Sequence, residues 1–255
     1  MDFFVWNTDP ILIDFGLLKI RWYGLFFALA FISGYYLFEQ MCRLEKKSDI
    51  NLDNLLIYIV AGTVVGARLF HCFFYDPQYY LSNPLKIIAV WEGGLASHGG
   101  GLGALISLYI YSKKNKEPFF WLVDRLSIPT ALAGAFIRTG NFFNSEIAGT
   151  KTLVPWAVVF IRNDNIPRHP VQLYEAFSYF VIFLVLLFIY KIRGKNIKSG
   201  SLFGIFLVTI FSARIFLEFF KSVQSSYNFD FFLSTGQILS IPFILAGFYL
   251  VFRKN

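Results

Sequence analysis

The chain has 255 residues, 56% of them hydrophobic, 20% aromatic and 15% charged, with a mean hydropathy of +0.56. So apolar a composition excludes an ordinary soluble domain and indicates an integral membrane protein. The formal net charge of +7 does not point to nucleic acid, because the basic residues sit in short stretches such as Arg43 to Lys47, Lys113 to Lys116 and Lys191 to Lys198, between apolar segments.

Residues 1–20 hold Asp2, Asp9 and Asp14 and lack a basic start followed by a continuous apolar core, so they do not read as a cleavable signal peptide. A bilayer core takes about 20 apolar residues per helix. On that ruler seven spans follow: Trp22 to Gln40, Leu52 to Tyr75, Leu95 to Ser112, Phe119 to Gly140, Gln172 to Tyr190, Ser201 to Phe220 and Gly236 to Phe252. The expected fold is all-α, a polytopic membrane helix bundle of about seven transmembrane helices. The third span opens on Ser97, His98 and Gly99 to Gly101, and its first turns are expected to be irregular. Gly62 and Gly66 form a small-xxx-small pair suited to helix packing. Residues 141–171 are too polar for a span; Pro155, Asn163, Asp164 and Pro167 supply turns for a small external subdomain. Cys42 and Cys72 lack the spacing of a disulfide framework or a zinc site.

The loops after spans one, three, five and seven carry three, three, four and two basic residues, against Lys86 and Lys221 alone after spans two and six. The positive-inside rule then puts the N-terminus outside and the C-terminus in the cytoplasm.

With that orientation the unusual polar residues gather at the outer ends of the spans: Tyr23, Arg68, His71, Glu92, His98, Arg138, Asn141, Asn144, Glu146, His169, Gln172, Tyr174, Glu175, Arg214 and Glu218. An ionisable group inside a membrane segment carries a penalty of roughly 2.5 to 3.5 kcal/mol, so such groups persist where they face a polar cavity or a partner. Arg138, Asn141 and Asn144 recur at three-residue spacing, which places them on one helical face if the helix continues. Glu146 reads either as the partner of Arg138 or as a group of the site. Arg214 and Glu218 are spaced i, i+4 for a pair, with Arg214 also available to the site. Arg68 is equally suited to a structural role, and His71 reads as a hydrogen-bonded structural residue. The glycines after His98 allow close backbone approach and amide donors for an anion. His169-Pro170 marks the entry to span five, with proline in the first turn. Trp22, Trp91 and Tyr174 suit an interfacial belt. A transporter or channel also lines a cavity with such groups, but the chain shows no inverted repeat. A retinal-type receptor would need a lysine in the last span, and an intramembrane protease a HExxH or paired-aspartate motif; neither is present.

The chain resembles the bacterial prolipoprotein diacylglyceryl transferase family along most of its length. The resemblance is carried by Arg21-Trp22-Tyr23-Gly24, Gly66-Ala67-Arg68, Trp91-Glu92-Gly93-Gly94, Ser97-His98-Gly99-Gly100, Arg138 to Glu146, His169-Pro170-Val171-Gln172-Leu173-Tyr174-Glu175, and Arg214 to Phe220. The family's Arg-x-Gly-Asn-Phe-x-Asn-Gly-Glu pattern is met except at Ser145, where glycine is usual. The resemblance implies phosphatidylglycerol as donor and the lipobox cysteine thiol of a prolipoprotein signal peptide as acceptor, yielding a thioether and glycerol phosphate. It implies no metal or other cofactor, and a place in the bacterial cytoplasmic (inner) membrane with the site toward the outer leaflet. Carried over by motif, Arg138 binds the donor phosphate and Arg214 assists it. His98 becomes the candidate base or positioning group. Tyr23, Asn141, Asn144, Glu146 and Gly149 shape the site, with Arg68, Gln172 and Glu175 as further substrate-binding candidates. A thiol of pKa near 8.5 is already a few per cent thiolate at neutral pH, so full deprotonation gains only about thirtyfold. Arg138 is therefore expected to matter more than His98.

Overall fold

The computed structural model describes residues 3–16, 19–47, 49–222 and 234–253. It is an all-α polytopic architecture with helices α1 (Trp22–Leu44), α2 (Leu52–Phe74), α3 (Pro77–Ser82), α4 (Ser97–Asn115), α5 (Phe119–Phe143), α6 (Val171–Arg193), α7 (Ser201–Glu218) and α8 (Thr235–Phe252). Five of them, α1, α2, α5, α6 and α7, are long and apolar enough to cross a membrane. The apolar stretch of α8, Gly236–Phe252, is shorter. The serine, histidine and glycines at its start make α4 less apolar, although it too occupies a position read as a span. The chain divides into two compact units, one of residues 1–41 and 124–255, the other of residues 42–123.

The unit of residues 42–123 is built on the pairing of α2 with α4. A Cβ placed on Gly66 would lie 2.4 Å from the Gly99 carbonyl oxygen, and one on Gly103 would lie 2.1 Å from that of Gly62. The two helices therefore meet backbone to backbone, the contact expected of Gly62 and Gly66. This overturns the expected irregular start of the third span. The helix is regular from Ser97, with Gly100 N–H donating to Ala96 O, because its glycines serve the crossing while the helical bonds are kept. The ends of these helices are pinned by an Asn51 cap on the Asn54 amide (2.8 Å), by Lys47 on Glu117 (2.7 Å) and by Trp121 Nε1 donating to Glu45 (2.7 Å).

In the other unit α7 packs on α8 through Gly204 and Gly247, each close to the other's carbonyl oxygen. A capping box between Ser234 and Gln237 starts α8. Short strands complete this unit: β1 (Phe4–Trp6), β2 (Ile11–Asp14), β3 (Lys19–Arg21), β4 (Val158–Phe160) and β5 (Pro167–Arg168). β1 runs parallel to β4, which pairs antiparallel with β5, while β2 and β3 form a separate hairpin. Residues 141–171 thus hold two strands and the turn at Asn163 and Asp164, where both amides donate to Phe160 O. Asp164 pairs with Arg168 across that turn, which holds its carboxyl below the usual carboxylate range. Trp6 packs on Phe142, ring centroids 4.4 Å apart, beside buried Val158 and Phe160.

Candidate active site

The end of α5 sets the site. The helix stops at Phe143, so Asn144 lies just beyond it, yet its side chain still joins those of Arg138 and Asn141. The reason is the turn that follows. Ser145 (φ 57°) and Ile147 (φ 56°) adopt left-handed backbone, and Glu146 N–H donates to Asn141 O, folding the chain back over the helix end. Glu146 then accepts from Asn141 Nδ2 at 2.9 Å and from Asn144 Nδ2 at 3.1 Å. The usual glycine of the family motif stands where this chain has Ser145 in a conformation that favours glycine.

Arg138 is held from the other side. Its Nε lies 3.0 Å from Oε2 of Glu175, a fully buried residue, while Nη1 makes a longer 3.3 Å bond to Asn141 Oδ1. Of the two readings of Glu146, the one that pairs it with Arg138 is not met: α6 delivers Glu175 to Arg138, and Glu146 is engaged by the two asparagines. Gln172, also fully buried and one turn earlier on α6, donates to the Glu146 backbone carbonyl and fixes the turn. Pro170 stands at the N-cap of α6 rather than in its first turn.

Tyr179 stands beside Arg138. Its hydroxyl is hydrogen-bonded by Arg138 and lies within electrostatic range of Arg214. Its ring lies over Gly134, where an added Cβ would come within 2.9 Å of Cδ2. The half-buried phenol of Tyr23, at the start of α1, is within electrostatic range of Glu146 and Arg138. The expected pair of Arg214 with Glu218 is not formed. Glu218 turns instead to Lys221 Nζ (3.5 Å) and Ser234 Oγ (3.3 Å), which draws its carboxylate over the start of α8.

Lys221 was read in the sequence only as a loop cation. In the fold its Nζ is 2.8 Å from Glu175 Oε1, so one buried carboxylate is shared between Arg138 and Lys221. Gly149 explains how Lys221 arrives there. An added Cβ at Gly149 would meet His169 O at 2.5 Å and Phe220 O at 2.7 Å, so only glycine fits between those two backbones. His169 has its Nδ1 3.2 Å from the Tyr174 hydroxyl, which accepts from Trp156 Nε1 at 2.7 Å; burial pushes the imidazole below its ordinary pKa.

Arg68 and His98 belong to the unit of residues 42–123. Arg68 is buried and spends its guanidinium on main-chain carbonyls: Nε on Ile87 (3.0 Å), Nη2 on Lys86, Nη1 on Gly93 and Gly94, with the Tyr80 ring 5.0 Å away. That arrangement positions the loop leading to α4. His71 stacks on Tyr75, ring centroids 5.6 Å apart, and His98, half-buried, opens α4. Among the described residues no group of three or more His, Cys, Asp or Glu is placed to hold a metal ion.

A fixed guanidinium with terminal donors to spare, and a second arginine within electrostatic range of the same phenol, suits an anion such as a phosphate. The family profile described as prolipoprotein diacylglyceryl transferase matches residues 10–253. A protein of Tolumonas auensis named phosphatidylglycerol–prolipoprotein diacylglyceryl transferase is 52% identical, over 96% of this chain and 95% of its own length. Proteins of the same name from Chloroherpeton thalassium and Porphyromonas gingivalis are 49% and 42% identical, each over 98% of this chain and over 93% and 94% of their own lengths. The chain belongs to the prolipoprotein diacylglyceryl transferase family, and it is a transferase carried on a polytopic membrane helix bundle.

Proposed function

We propose that the chain transfers the diacylglyceryl group of phosphatidylglycerol to the lipobox cysteine of prolipoprotein signal peptides, with Arg138 as the ligand of the donor's phosphate. The observation that carries this reading is the fixing of Arg138 through Nε by a buried carboxylate, which leaves for an incoming anion the terminal N–H groups beyond those on Asn141 and Tyr179. In the reaction the thiol sulfur forms a bond to the glyceryl carbon and the bond from that carbon to the phosphate oxygen breaks. The thiol proton passes to a base, and glycerol phosphate leaves. Negative charge grows on the departing phosphate monoester, where charge-assisted hydrogen bonds from arginine contribute about 1.5 to 3 kcal/mol each.

Arg214, within electrostatic range of the Tyr179 hydroxyl that Arg138 bonds, assists by its charge. Asn141, Asn144, Glu146, Gln172 and Gly149 act by holding the turn beside Arg138, and Tyr23 borders it. Arg68 acts by shaping the loop before α4 rather than by touching substrate, since its donors are taken by carbonyls. His98 is proposed as the thiol's base on the resemblance alone. Both substrates are borne by a bilayer, in keeping with a bacterial cytoplasmic membrane and a site in its outer leaflet.

Purified protein, labelled phosphatidylglycerol and a lipobox peptide provide the test, with glycerol phosphate release and peptide lipidation as readouts. The reading requires transfer by the wild type and its loss in folded Arg138→Ala. No transfer from phosphatidylglycerol, or undiminished transfer by Arg138→Ala, refutes it.

A further inference from the structure

The side chain of Lys221 is only 10% exposed, and the backbone around it is built into place. Thr150 N–H donates to Phe220 O at 2.8 Å, Ser222 Oγ donates to Ala148 O at 2.7 Å, and Gly149 forms a β-bridge with Lys221 itself. Three contacts to one loop are more than a surface lysine receives. They deliver Nζ to Glu175, whose two oxygens are divided: Oε2 to Arg138 Nε and Oε1 to Lys221 Nζ.

A buried carboxylate with a single cationic neighbour draws it into the strongest geometry available, which for arginine is the two-bond fork. Such a fork would turn more of the guanidinium toward Glu175 and away from an incoming anion. With Oε1 occupied by an ammonium, Glu175 holds Arg138 through Nε alone, and the terminal N–H groups not bound to Asn141 or Tyr179 stay available. Part of the carboxylate's charge is also neutralised, which weakens its competition with a phosphate.

We infer that Lys221 is a positioning residue for Arg138, acting through Glu175: it takes the second carboxylate oxygen and so keeps the guanidinium free for the donor's phosphate. The inference rests on the proposed role of Arg138 as the phosphate's ligand. Lys221 does not touch the reacting atoms. Its effect is expected on capture of the lipid donor, because that is the step for which Glu175 and phosphate compete.

Transfer to a lipobox peptide is to be measured with full-length protein in mixed micelles as the phosphatidylglycerol fraction is varied. Lys221→Met lowers kcat/KM for the donor about tenfold or more, mostly through KM, the scale of one charge-assisted bond. Lys221→Arg stays close to wild type. Glu175→Gln lowers activity by itself, since it loosens Arg138. The double variant Lys221→Met/Glu175→Gln is then no worse than Glu175→Gln alone, because the charge that Lys221 restrains is gone. Additive losses in the double variant, or an unchanged KM in Lys221→Met, overturn the inference. If Lys221→Met fails to fold, Lys221→Gln is read against Lys221→Arg by the same two criteria. Wild-type protein that transfers nothing from phosphatidylglycerol would instead sink the reading of Arg138.

Discussion

The carboxylate of Asp124, on α5, accepts from the amide of Gly200 at 2.7 Å, and its other oxygen accepts from Phe203 N–H at 2.9 Å, so one helix caps the start of another. Asp124 is fully buried, and these amides are among the donors that the first turn of α7 cannot satisfy itself. Asp124→Ala leaves them without acceptors, at about 1 to 3 kcal/mol for each buried donor. Thermal unfolding in detergent is expected to show a clearly lower midpoint for Asp124→Ala and a smaller fall for Asp124→Asn, which keeps one acceptor. Equal midpoints would mean that the cap does not hold α7.

Ser145 occupies left-handed backbone, and its buried Oγ finds no hydrogen-bond partner among the described residues. Left-handed geometry costs an L-residue roughly 1 to 2 kcal/mol, and glycine returns about 0.5 to 1 of that through its larger unfolded-state entropy. Ser145→Gly is therefore expected to raise stability by up to about 1 kcal/mol with transfer activity retained, and Ser145→Val to lower both. A glycine variant less stable than wild type would show that the serine has a compensating role.

Arg138→Lys keeps the charge but lacks the planar set of donors that reaches Glu175, Asn141 and an anion together. Loss of one charge-assisted bond, about 1.5 to 3 kcal/mol, predicts a fall in kcat/KM of about tenfold to somewhat over a hundredfold despite the retained charge. Steady-state kinetics on folded protein decide the point; near-wild-type rates would reduce Arg138 to a point charge.

His169 has a folded pKa below its ordinary 6.5 because burial disfavours the imidazolium. At pH values above 6.5 both states are neutral and the group has no effect on stability. As pH falls through 6.5 the unfolded chain takes up a proton that the folded chain resists, so stability declines until the lower folded pKa is passed, and then levels off. Melting curves at pH 7.5 and 5.5 should show a larger acid-side fall for wild type than for His169→Phe. Parallel falls would assign the acid sensitivity to other groups.

Much of this arrangement was legible in the sequence because it is local. Apolar runs marked the places of helices, five of them long and apolar enough to cross a membrane, and the three-residue spacing of Arg138, Asn141 and Asn144 marked the end of α5. What stayed hidden depends on which elements meet in space. Glu175 lies 37 positions from Arg138, and no spacing rule shows that α6 delivers it rather than Glu146. Lys221 was one more basic residue in a loop until Gly149 proved to be the gap through which its backbone passes. The glycines after His98 pointed to close approach and to amide donors for an anion, but only the partner, Gly66, shows that the approach is to another helix. Arg214 and Glu218 had the right spacing to pair; the start of α8 and Lys221 won the carboxylate instead.

The parallel pairing of Phe4–Trp6 with Val158–Phe160 imposes an order on biogenesis. A ribosome adding about 5 to 20 residues per second needs roughly 8 to 30 s to make the 150 or so residues between those strands. For that interval the first strand exists without its partner, and for most of it Trp6 also has no Phe142 to pack against. The turn beside Arg138 is completed later still, because Gln172, which donates to the Glu146 carbonyl, follows both strands in the chain.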